Sequence, residues 1–320
     1  MDKAKEGQRA QDWIAMMRFF EGVVLMGHLL PDHDAVGGMA GIAALAKEAG
    51  IPVSLAPGLP ADGLQPAIDR LAAEGIPVIE EPPANIARCV IVVADTHRVT
   101  FAAHPDWLPL AGGIAVIDHH LPGTNPIEEP QILWLDPTSS STSELTACLL
   151  SDAGIRPSVT QADLMLAGIT LDTHRFMRRA TERTFRYASH LCEWGAQVER
   201  VSSYFEDKIE SFIARSQVIH DAIIEGDMAY SVLTADIEGA RVIAAQAADE
   251  MVFLRGIHGV VVACADGDVT VVSVRARNGL SAAQWVSPLG GGGTHTAAGL
   301  QLSGVEPCDA IERIREVVNA

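Results

Sequence analysis

The chain lacks long apolar runs, paired cysteines and an N-terminal apolar segment. No apolar stretch reaches the roughly 18 residues that a membrane-spanning helix needs, and the first residues, MDKAKEGQRAQDW, lack the apolar core of a signal peptide. We therefore expect a cytoplasmic protein with no membrane partner. The five cysteines are widely scattered and form no C-x-x-C pair, so the sequence indicates neither a disulfide framework nor a zinc site.

Basic residues are also scarce. The chain has 23 Lys and Arg residues against 41 Asp and Glu residues, which gives a formal net charge of −18. Proteins that hold long nucleic acid usually meet its phosphates with clustered Lys and Arg, so we expect no binding of long duplex nucleic acid. A small anionic substrate is still compatible with this charge if metal ions reverse it locally.

The length of 320 residues is enough for two domains. Apolar runs at residues 23–26, 89–94 and 113–117 alternate with helical patterns, which predicts an α/β fold with a mainly parallel sheet and flanking helices. The pattern is helical and charged from residue 181 to about 222, and β-like runs follow. We expect a first domain over residues 1–195, a helical linker over 196–225 and a smaller C-terminal α/β domain over 226–320.

Carboxylates and imidazoles follow the predicted strands. They are His28, Asp32 and Asp34 after the first strand, Asp95 after the second, and Asp118, His119 and His120 after the third. Asp172 ends an apolar helical stretch that begins near Gln161. Since ligands of open α/β sheets bind outside the carboxyl ends of the strands, we expect these side chains to meet at one edge.

Each of these residues also has an ordinary structural interpretation. Asp34 alone predicts the N-cap of the following helix, and Gly50 predicts its end. The joint occurrence of these carboxylates and imidazoles instead favours a site for a pair of divalent metal ions. Oxygen ligands mixed with imidazole and without thiolate favour Mn²⁺ or Mg²⁺, with Fe²⁺ and Co²⁺ as further candidates. Two such ions stabilise both the attacking and the leaving oxygen of a phosphoryl displacement.

Four motifs resemble those of the DHH phosphoesterase superfamily. They are HLLPDHDA at residues 28–35, Asp95, the sequence Asp118-His119-His120, and GITLDT at residues 168–173. The C-terminal SVRARNGL and GGGGTHTAAG are similar to the DHH-associated substrate domain of bacterial oligoribonucleases that also act on 3′-phosphoadenosine 5′-phosphate. The resemblance covers nearly the whole chain, and it implies a metal-binding catalytic domain followed by a substrate-binding domain.

The resemblance also implies residue roles in the first domain. One metal ion, most typically Mn²⁺, would be held by His28, Asp32 and Asp95, and the other by Asp34, Asp95, His119 and Asp172. Asp95 would then bridge two ions, and a metal-bound hydroxide would be the nucleophile. Two further residues are implied to be catalytic: Asp118, which would orient a ligand histidine, and His120, which would face the phosphate.

In the second domain the resemblance implies contacts to a terminal phosphate. The implied residues are Arg275 and the glycine-rich Gly291, Gly292, Gly293, Thr294 and His295. Three positions depart from the family pattern. His33 and His174 stand where glycine is common, and Thr294 occupies the usual histidine position, with His295 one residue later.

The resulting hypothesis is a two-metal phosphoesterase that works in the cleft between the domains. Its substrate would be a short single-stranded oligonucleotide, a linear dinucleotide or a nucleoside 3′,5′-bisphosphate. An inorganic pyrophosphatase or exopolyphosphatase is the alternative, although the second domain offers only Arg275 and Arg277 where such enzymes carry a basic motif. A non-catalytic nucleotide sensor is a further alternative, which the complete ligand set disfavours. A homodimer also stays open.

Overall fold

The computed structural model describes residues 3–60 and 63–319, so the first two residues of the N-terminal segment discussed above lie outside it. The chain divides into two compact units, Met1–Glu206 and Asp207–Ala320.

The first unit contains a five-stranded sheet in the order β2-β1-β3-β4-β5, and all neighbouring strands are parallel. The strands are β1 (Gly22–Met26), β2 (Val53–Ala56), β3 (Cys89–Ala94), β4 (Gly113–Asp118) and β5 (Ile132–Leu135). The helices are α1 (Lys3–Arg18), α2 (His33–Ala49), α3 (Gln65–Ala73), α4 (Thr142–Ala153), α5 (Val159–Asp172), α6 (Glu182–Glu193) and α7 (Val198–Ser202). The predicted α/β fold with a mainly parallel sheet is confirmed.

Apart from Asp118 at the end of β4, the central strands are apolar, as expected for strands whose two faces are both covered. Val23 and Leu25 of β1 face the helices, whereas Val24 and Met26 face the opposite side. On that opposite side the sheet packs against loops and short 3₁₀ turns, including the turn that carries Trp107. The sheet therefore holds the carboxyl ends of its strands in fixed positions.

The start of α2 differs from the prediction. Asp32, not Asp34, is the N-cap: its side chain accepts hydrogen bonds from the amides of Asp34 at 2.8 Å and Ala35 at 3.1 Å. Asp34 lies inside the first turn and is fully buried, because its carboxylate turns toward α4. Gly50 ends the helix as predicted, with a left-handed φ of 76°.

Close packing of α2, α4 and α5 depends on glycine. A Cβ atom at Gly168 would lie 2.1 Å from Ser143 Oγ and 2.8 Å from Asp34 Oδ1, and one at Gly37 would lie 2.3 Å from the same hydroxyl. Any side chain at these positions would push the helices apart. The glycines therefore allow the N-terminus of α4 to approach Asp34.

The second unit contains a six-stranded mixed sheet in the order β10-β11-β9-β8-β7-β6, in which only β7 and β8 are parallel. Its elements are α8 (Ile209–His220), β6 (Ile223–Glu225), β7 (Met228–Leu233), α9 (Ala240–Met251), β8 (Gly259–Asp266), β9 (Val269–Ala276), α10 (Ala282–Val286), β10 (Gly292–Gly293), β11 (Ala297–Ser303) and α11 (Pro307–Val318). Helices α8 and α9 cover one face of the sheet, and α10 and α11 cover the other.

The segment 196–225 is shared between the two units. Helix α7 packs on α5 in the first unit, and α8 packs on α9 in the second. Among the helices that the structure describes, none has both the length and the apolar character needed to cross a bilayer.

Candidate functional site

The structure brings the six predicted metal ligands together at the carboxyl edge of the parallel sheet. Two groups have ligand atoms within 4.8 Å of one another: His28, Asp32 and Asp95, and Asp34, His119 and Asp172. A third group, Asp95, His119 and His120, overlaps both. The ligands therefore form one continuous cluster.

Asp95 lies at the centre of this cluster. Its Oδ2 atom is 3.5 Å from His28 Nε2, and its Oδ1 atom is 3.4 Å from His119 Nε2, so the two carboxylate oxygens face different histidines. The residue is 3% exposed and has a left-handed φ of 65°, an uncommon conformation for a residue other than glycine. Such strain is typical of functional sites.

His119 Nε2 supports a metal-binding role for the deeper group. The atom is buried and has no hydrogen-bond partner. It faces Asp172 Oδ2 at 3.0 Å, Asp95 Oδ1 at 3.4 Å and Asp34 Oδ2 at 3.7 Å. Buried polar atoms are normally satisfied, and a divalent cation among one imidazole and three carboxylates would satisfy all of them. The residues present therefore fit a metal ion.

The outer group is more open. His28 Nε2 is 3.9 Å from Asp32 Oδ1, and the Asp32 side chain is 43% exposed. The same Oδ1 atom caps α2, so the helix N-terminus fixes the orientation of this carboxylate.

The crowding of carboxylates and burial shift the pKa values of Asp34, His119 and His28. Burial, together with the charges of Asp95 and Asp172, raises the pKa of Asp34 well above its ordinary value. Burial lowers the pKa of His119, but the nearby carboxylates of Asp172, Asp95 and Asp34 outweigh this effect and raise it to about 11. The pKa of His28 is raised against burial to about 10 by Asp32 and Asp95. Without metal, protons on the imidazoles therefore compensate the carboxylates.

The N-terminus of α4 holds two of the carboxylates. The amides of Thr142 and Ser143 donate to Asp34 at 2.7 and 2.9 Å, and the Thr142 hydroxyl donates to Asp95 Oδ1 at 3.0 Å. Sequence reasoning assigned no role to these residues. The helix start itself was readable, because Ser141 and Glu144 have the S-x-x-E spacing of a helix N-terminus.

Asp118 contacts His120 and His97, and neither of them is a predicted metal ligand. Its Oδ1 atom accepts hydrogen bonds from His120 Nδ1 at 2.7 Å and from the His120 amide at 3.0 Å, and its Oδ2 atom is 2.5 Å from His97 Nδ1. The predicted ligand His119 instead has its Nδ1 atom 3.3 Å from the guanidinium of Arg179. Sequence reasoning missed His97, although it follows Asp95 by two positions, where a loop residue would reach the same edge.

Arg179 belongs to a strained loop after Asp172. His174, Arg175, Phe176 and Arg179 have φ angles of 47°, 58°, 64° and 53°. Arg179 also donates to the Ser139 carbonyl at 3.1 Å, and among the described residues no carboxylate lies within ion-pair distance of it.

The two extra imidazoles lie outside the ligand groups. The His33 ring lies 4.9 Å from the Phe205 ring and 5.8 Å from the Tyr204 ring, and His174 is exposed.

In the second unit, Arg275 lies in β9 and forms a bidentate ion pair with Asp249 of α9. Its Nε and Nη2 atoms are 2.8 and 2.9 Å from the two carboxylate oxygens, and Nη1 donates to the Val274 carbonyl at 3.1 Å. The arginine that sequence analysis assigned to a phosphate thus has a protein partner. Arg277 follows the end of β9, and its guanidinium donates to the carbonyls of Ile257 and Leu254.

The glycine run forms the strand β10 and part of a cavity wall. A cavity of about 630 Å³ is lined by Arg241, Ser273, Arg275, Gly299 and the glycines at 290–292, among others. Gly293, Thr294 and His295 are not among its lining residues; Gly293 ends β10, and Thr294 and His295 lie in the turn between β10 and β11. There the Thr294 amide donates to the Ala297 carbonyl, and His295 Nδ1 is 2.8 Å from Ser281 Oγ.

Comparison with known proteins agrees with this architecture. Residues 22–169 match the model of the DHH family, N-terminal domain. The cyclic-di-AMP phosphodiesterase GdpP of Geobacillus thermodenitrificans is 31% identical over 93% of this chain and 47% of its own length. The bifunctional oligoribonuclease and PAP phosphatase NrnA of Thermus thermophilus is 26% identical over 95% of this chain and 91% of its own.

A solved structure supports the fold. An exopolyphosphatase-related protein from Bacteroides fragilis superimposes with a TM-score of 0.82 at 19% identity, covering 99% of this chain and 96% of that one. The chain spans about half the length of this GdpP and of two other cyclic-di-AMP phosphodiesterases that it matches. Residues 22–169, which include every predicted ligand except Asp172, therefore form a domain of the DHH family.

Proposed function

We propose that the protein is a metal-dependent phosphoesterase that hydrolyses small nucleotides. The observation that carries this proposal is the position of Asp95, which offers one oxygen to each of two ligand groups. A shared carboxylate holds two cations close together, and paired cations are the arrangement used for in-line displacement at phosphorus.

Two divalent ions would neutralise the local negative charge and lower the pKa of water at the site. His28, Asp32 and Asp95 would hold one ion, and Asp34, Asp95, His119 and Asp172 the other. The four carboxylates carry as much negative charge as two divalent ions carry positive charge. An acidic protein can then accept a phosphate. The mixture of carboxylate and imidazole ligands favours Mn²⁺, with Mg²⁺, Co²⁺ and Fe²⁺ as compatible ions.

His120 is the residue we assign to the phosphate. Asp118 binds its Nδ1 atom, and the side chain is 56% exposed, so the Nε2 atom is available to a ligand. Burial lowers the pKa of His120, but Asp118 and Asp95 outweigh this effect and raise it. A protonated imidazole would donate a charge-assisted hydrogen bond to a phosphate or leaving-group oxygen.

Arg275 is the residue we assign to a terminal phosphate. Its pair with Asp249 and its bond to Val274 use one N–H of each guanidinium nitrogen. A guanidinium has five N–H groups, so Nη1 and Nη2 each keep one for a ligand in the cavity. Asp249 would hold the arginine in place while this outer edge binds the phosphate.

Short linear substrates are the leading proposal. They comprise oligonucleotides of a few residues, linear dinucleotides and nucleoside 3′,5′-bisphosphates, with release of a nucleoside monophosphate. A cyclic dinucleotide is the second candidate, because 93% of this chain aligns with a cyclic-di-AMP phosphodiesterase.

A substrate panel tests the proposal. The Mn²⁺-loaded protein would be incubated with the linear dinucleotide pApA, adenosine 3′,5′-bisphosphate, cyclic di-AMP, pyrophosphate and tripolyphosphate, and the products would be separated by chromatography. We expect AMP from pApA or the bisphosphate. Faster turnover of pyrophosphate or tripolyphosphate would favour the pyrophosphatase alternative, and metal binding without turnover of any substrate would favour a sensor.

A further inference from the structure

We propose that His97 is a positioning residue that orients His120 through the carboxylate between them, Asp118. This inference rests on the proposed function, in which His120 meets the phosphate. It adds a third residue to that arrangement, from a different loop of the sheet edge.

Asp118, the carboxylate between the two histidines, is fully buried. One of its oxygens is 2.5 Å from His97 Nδ1, and the other accepts from His120 Nδ1 at 2.7 Å. Because both oxygens are occupied, the carboxylate cannot rotate without breaking both bonds. The His97 contact therefore fixes the plane of the carboxylate, and the plane fixes the direction of the His120 ring.

The backbone determines which ring nitrogen of His97 carries the proton. The Gly123 amide donates a hydrogen bond to His97 Nε2 at 3.0 Å, so that nitrogen carries a lone pair. The ring proton then lies on Nδ1, where it is donated to Asp118. The backbone thus selects the tautomer that Asp118 needs.

His97 also connects two loops at the edge of the sheet. His97 follows β3 and Asp95, whereas Gly123 and His120 follow β4. In addition to the side-chain bonds, the His97 carbonyl accepts the Ile127 amide at 2.8 Å. His97 therefore ties the loop that carries His120 to the loop that carries Asp95.

The low exposure of His97 distinguishes a positioning role from direct contact with the substrate. His97 is 5% exposed and belongs to none of the three ligand groups, whereas the His120 side chain is 56% exposed. A buried imidazole with both nitrogens bonded to the protein has no atom left for substrate or metal. It acts through Asp118.

Two substitutions separate the two ring nitrogens. In His97→Asn the amide nitrogen replaces Nδ1 and keeps the bond to Asp118, while in His97→Gln the amide replaces Nε2 and loses it. We expect His97→Gln to lower kcat about 10- to 100-fold, as loss of a residue that orients a site group does. KM and Mn²⁺ affinity should stay near wild type, and His97→Asn should recover kcat to within about 5-fold. His104→Gln, a histidine stacked on Trp107 that belongs to none of the three ligand groups, is the control.

A double-mutant cycle and a spectroscopic readout complete the test. In a His120→Gln background, His97→Gln should add little further loss, because interacting residues are not additive. In ¹H NMR of the Mg²⁺-loaded protein, two hydrogen-bonded imidazole N–H protons should appear far downfield in the wild type. His97→Asn should keep the one from His120, and His97→Gln should lose or broaden both.

Equal kcat in the Asn and Gln variants, full additivity with His120→Gln, or a matching loss of Mn²⁺ affinity would each overturn the positioning role. The NMR pattern needs no substrate. If the wild type hydrolysed nothing while the two protons behaved as expected, the proposed function would fail and the orienting contact would stand.

Discussion

The Thr142 hydroxyl donates a hydrogen bond to Asp95 Oδ1, across 47 residues of sequence, and the Thr142 amide donates to Asp34. One residue at the start of α4 thus contacts two carboxylates of the cluster. Thr142→Val keeps the shape and the amide but removes the hydroxyl. We expect Mn²⁺ affinity to fall about 10- to 100-fold, since loss of a residue that orients a metal ligand typically lowers affinity by this factor. Titration calorimetry measures it.

Thr142→Ser is the matched control, because it keeps the hydroxyl. We expect its Mn²⁺ affinity within about 3-fold of wild type, since one hydrogen bond is retained. Equal affinities for the Val and Ser variants would show that the hydroxyl does not support Asp95.

The shared position of Asp95 gives the simplest test of the metal cluster. Asp95→Asn removes the charge and should abolish turnover while lowering the amount of bound metal, because both ions lose a ligand. Asp12→Asn changes an exposed carboxylate of α1 and should do neither. Metal content measured by mass spectrometry, together with the hydrolysis assay, tests this prediction. Two equivalents of metal and an unchanged rate in Asp95→Asn would exclude a bridging role.

The raised pKa values of His28 and His119, about 10 and 11, predict an unusual pH dependence. An unfolded histidine has a pKa near 6.5, so above that pH the metal-free folded state holds protons that the unfolded state lacks. The stabilisation from these protons is complete below about pH 6.5 and is lost as the pH rises toward 10. We expect the Tm of the metal-free protein to fall from pH 7 to pH 9.

Metal binding must displace the same protons. Mn²⁺ affinity should therefore rise with pH over this range, and calorimetry in buffers of different ionisation enthalpy should detect proton release. A Tm that rises with pH in the metal-free protein, or metal binding without proton release, would contradict this account.

Arg275 and Arg277 differ in their partners and should differ in their effects. Arg275→Ala removes a charge-assisted bond worth roughly 1.5 to 3 kcal/mol, which corresponds to about a 10- to 150-fold loss of kcat/KM on pApA. The same dinucleotide without its 5′-phosphate should lose much less. Arg277→Ala removes bonds to two backbone carbonyls, so both substrates should be affected equally. If Arg275→Ala lowered kcat/KM equally on the two substrates, the arginine would support the fold and would not bind the 5′-phosphate.

A buried ion pair beside the site predicts a large stability effect. Arg183 of α6 contacts Glu144, which is fully buried, and Asp136 at 3.0 Å. Arg183→Met would leave Glu144 without its cation and should lower the free energy of unfolding by about 3 to 5 kcal/mol. Arg186→Met on the same helix breaks an exposed pair with Glu182 and should cost less than about 1 kcal/mol. Urea unfolding compares them, and similar losses would refute the argument.

Sequence reasoning succeeded where a local pattern determines the structure. Continuous apolar runs identified the parallel strands, and residues that follow such strands must meet at one edge, which brought His28, Asp95 and His119 together. It chose the wrong cap for α2 because Asp32 and Asp34 both suit a helix N-terminus. The contact that decides between them comes from Thr142, 108 residues away.

Sequence reasoning missed other contacts for the same reason, because the partners lie far apart in the sequence. His97 and Asp118 are 21 residues apart, and Thr142 lies 47 residues from Asp95. The partner of Arg275, Asp249, lies 26 residues before it on another element. A sequence pattern shows which groups a loop contains, but a hydrogen bond between distant segments depends on how the helices and strands pack.

The deeper ligand group takes its side chains from α2, from the end of β4 and from the end of α5, at positions 34, 119 and 172. A chain emerging from the ribosome cannot complete this group until α5 has been synthesised and has docked, with Gly168 against Ser143. Tight metal uptake during translation should therefore begin only after the codon for Asp172 has been read and its helix has left the exit tunnel. Metal uptake would then mark the moment at which α5 docks in the first unit, before α6 and α7 have been added.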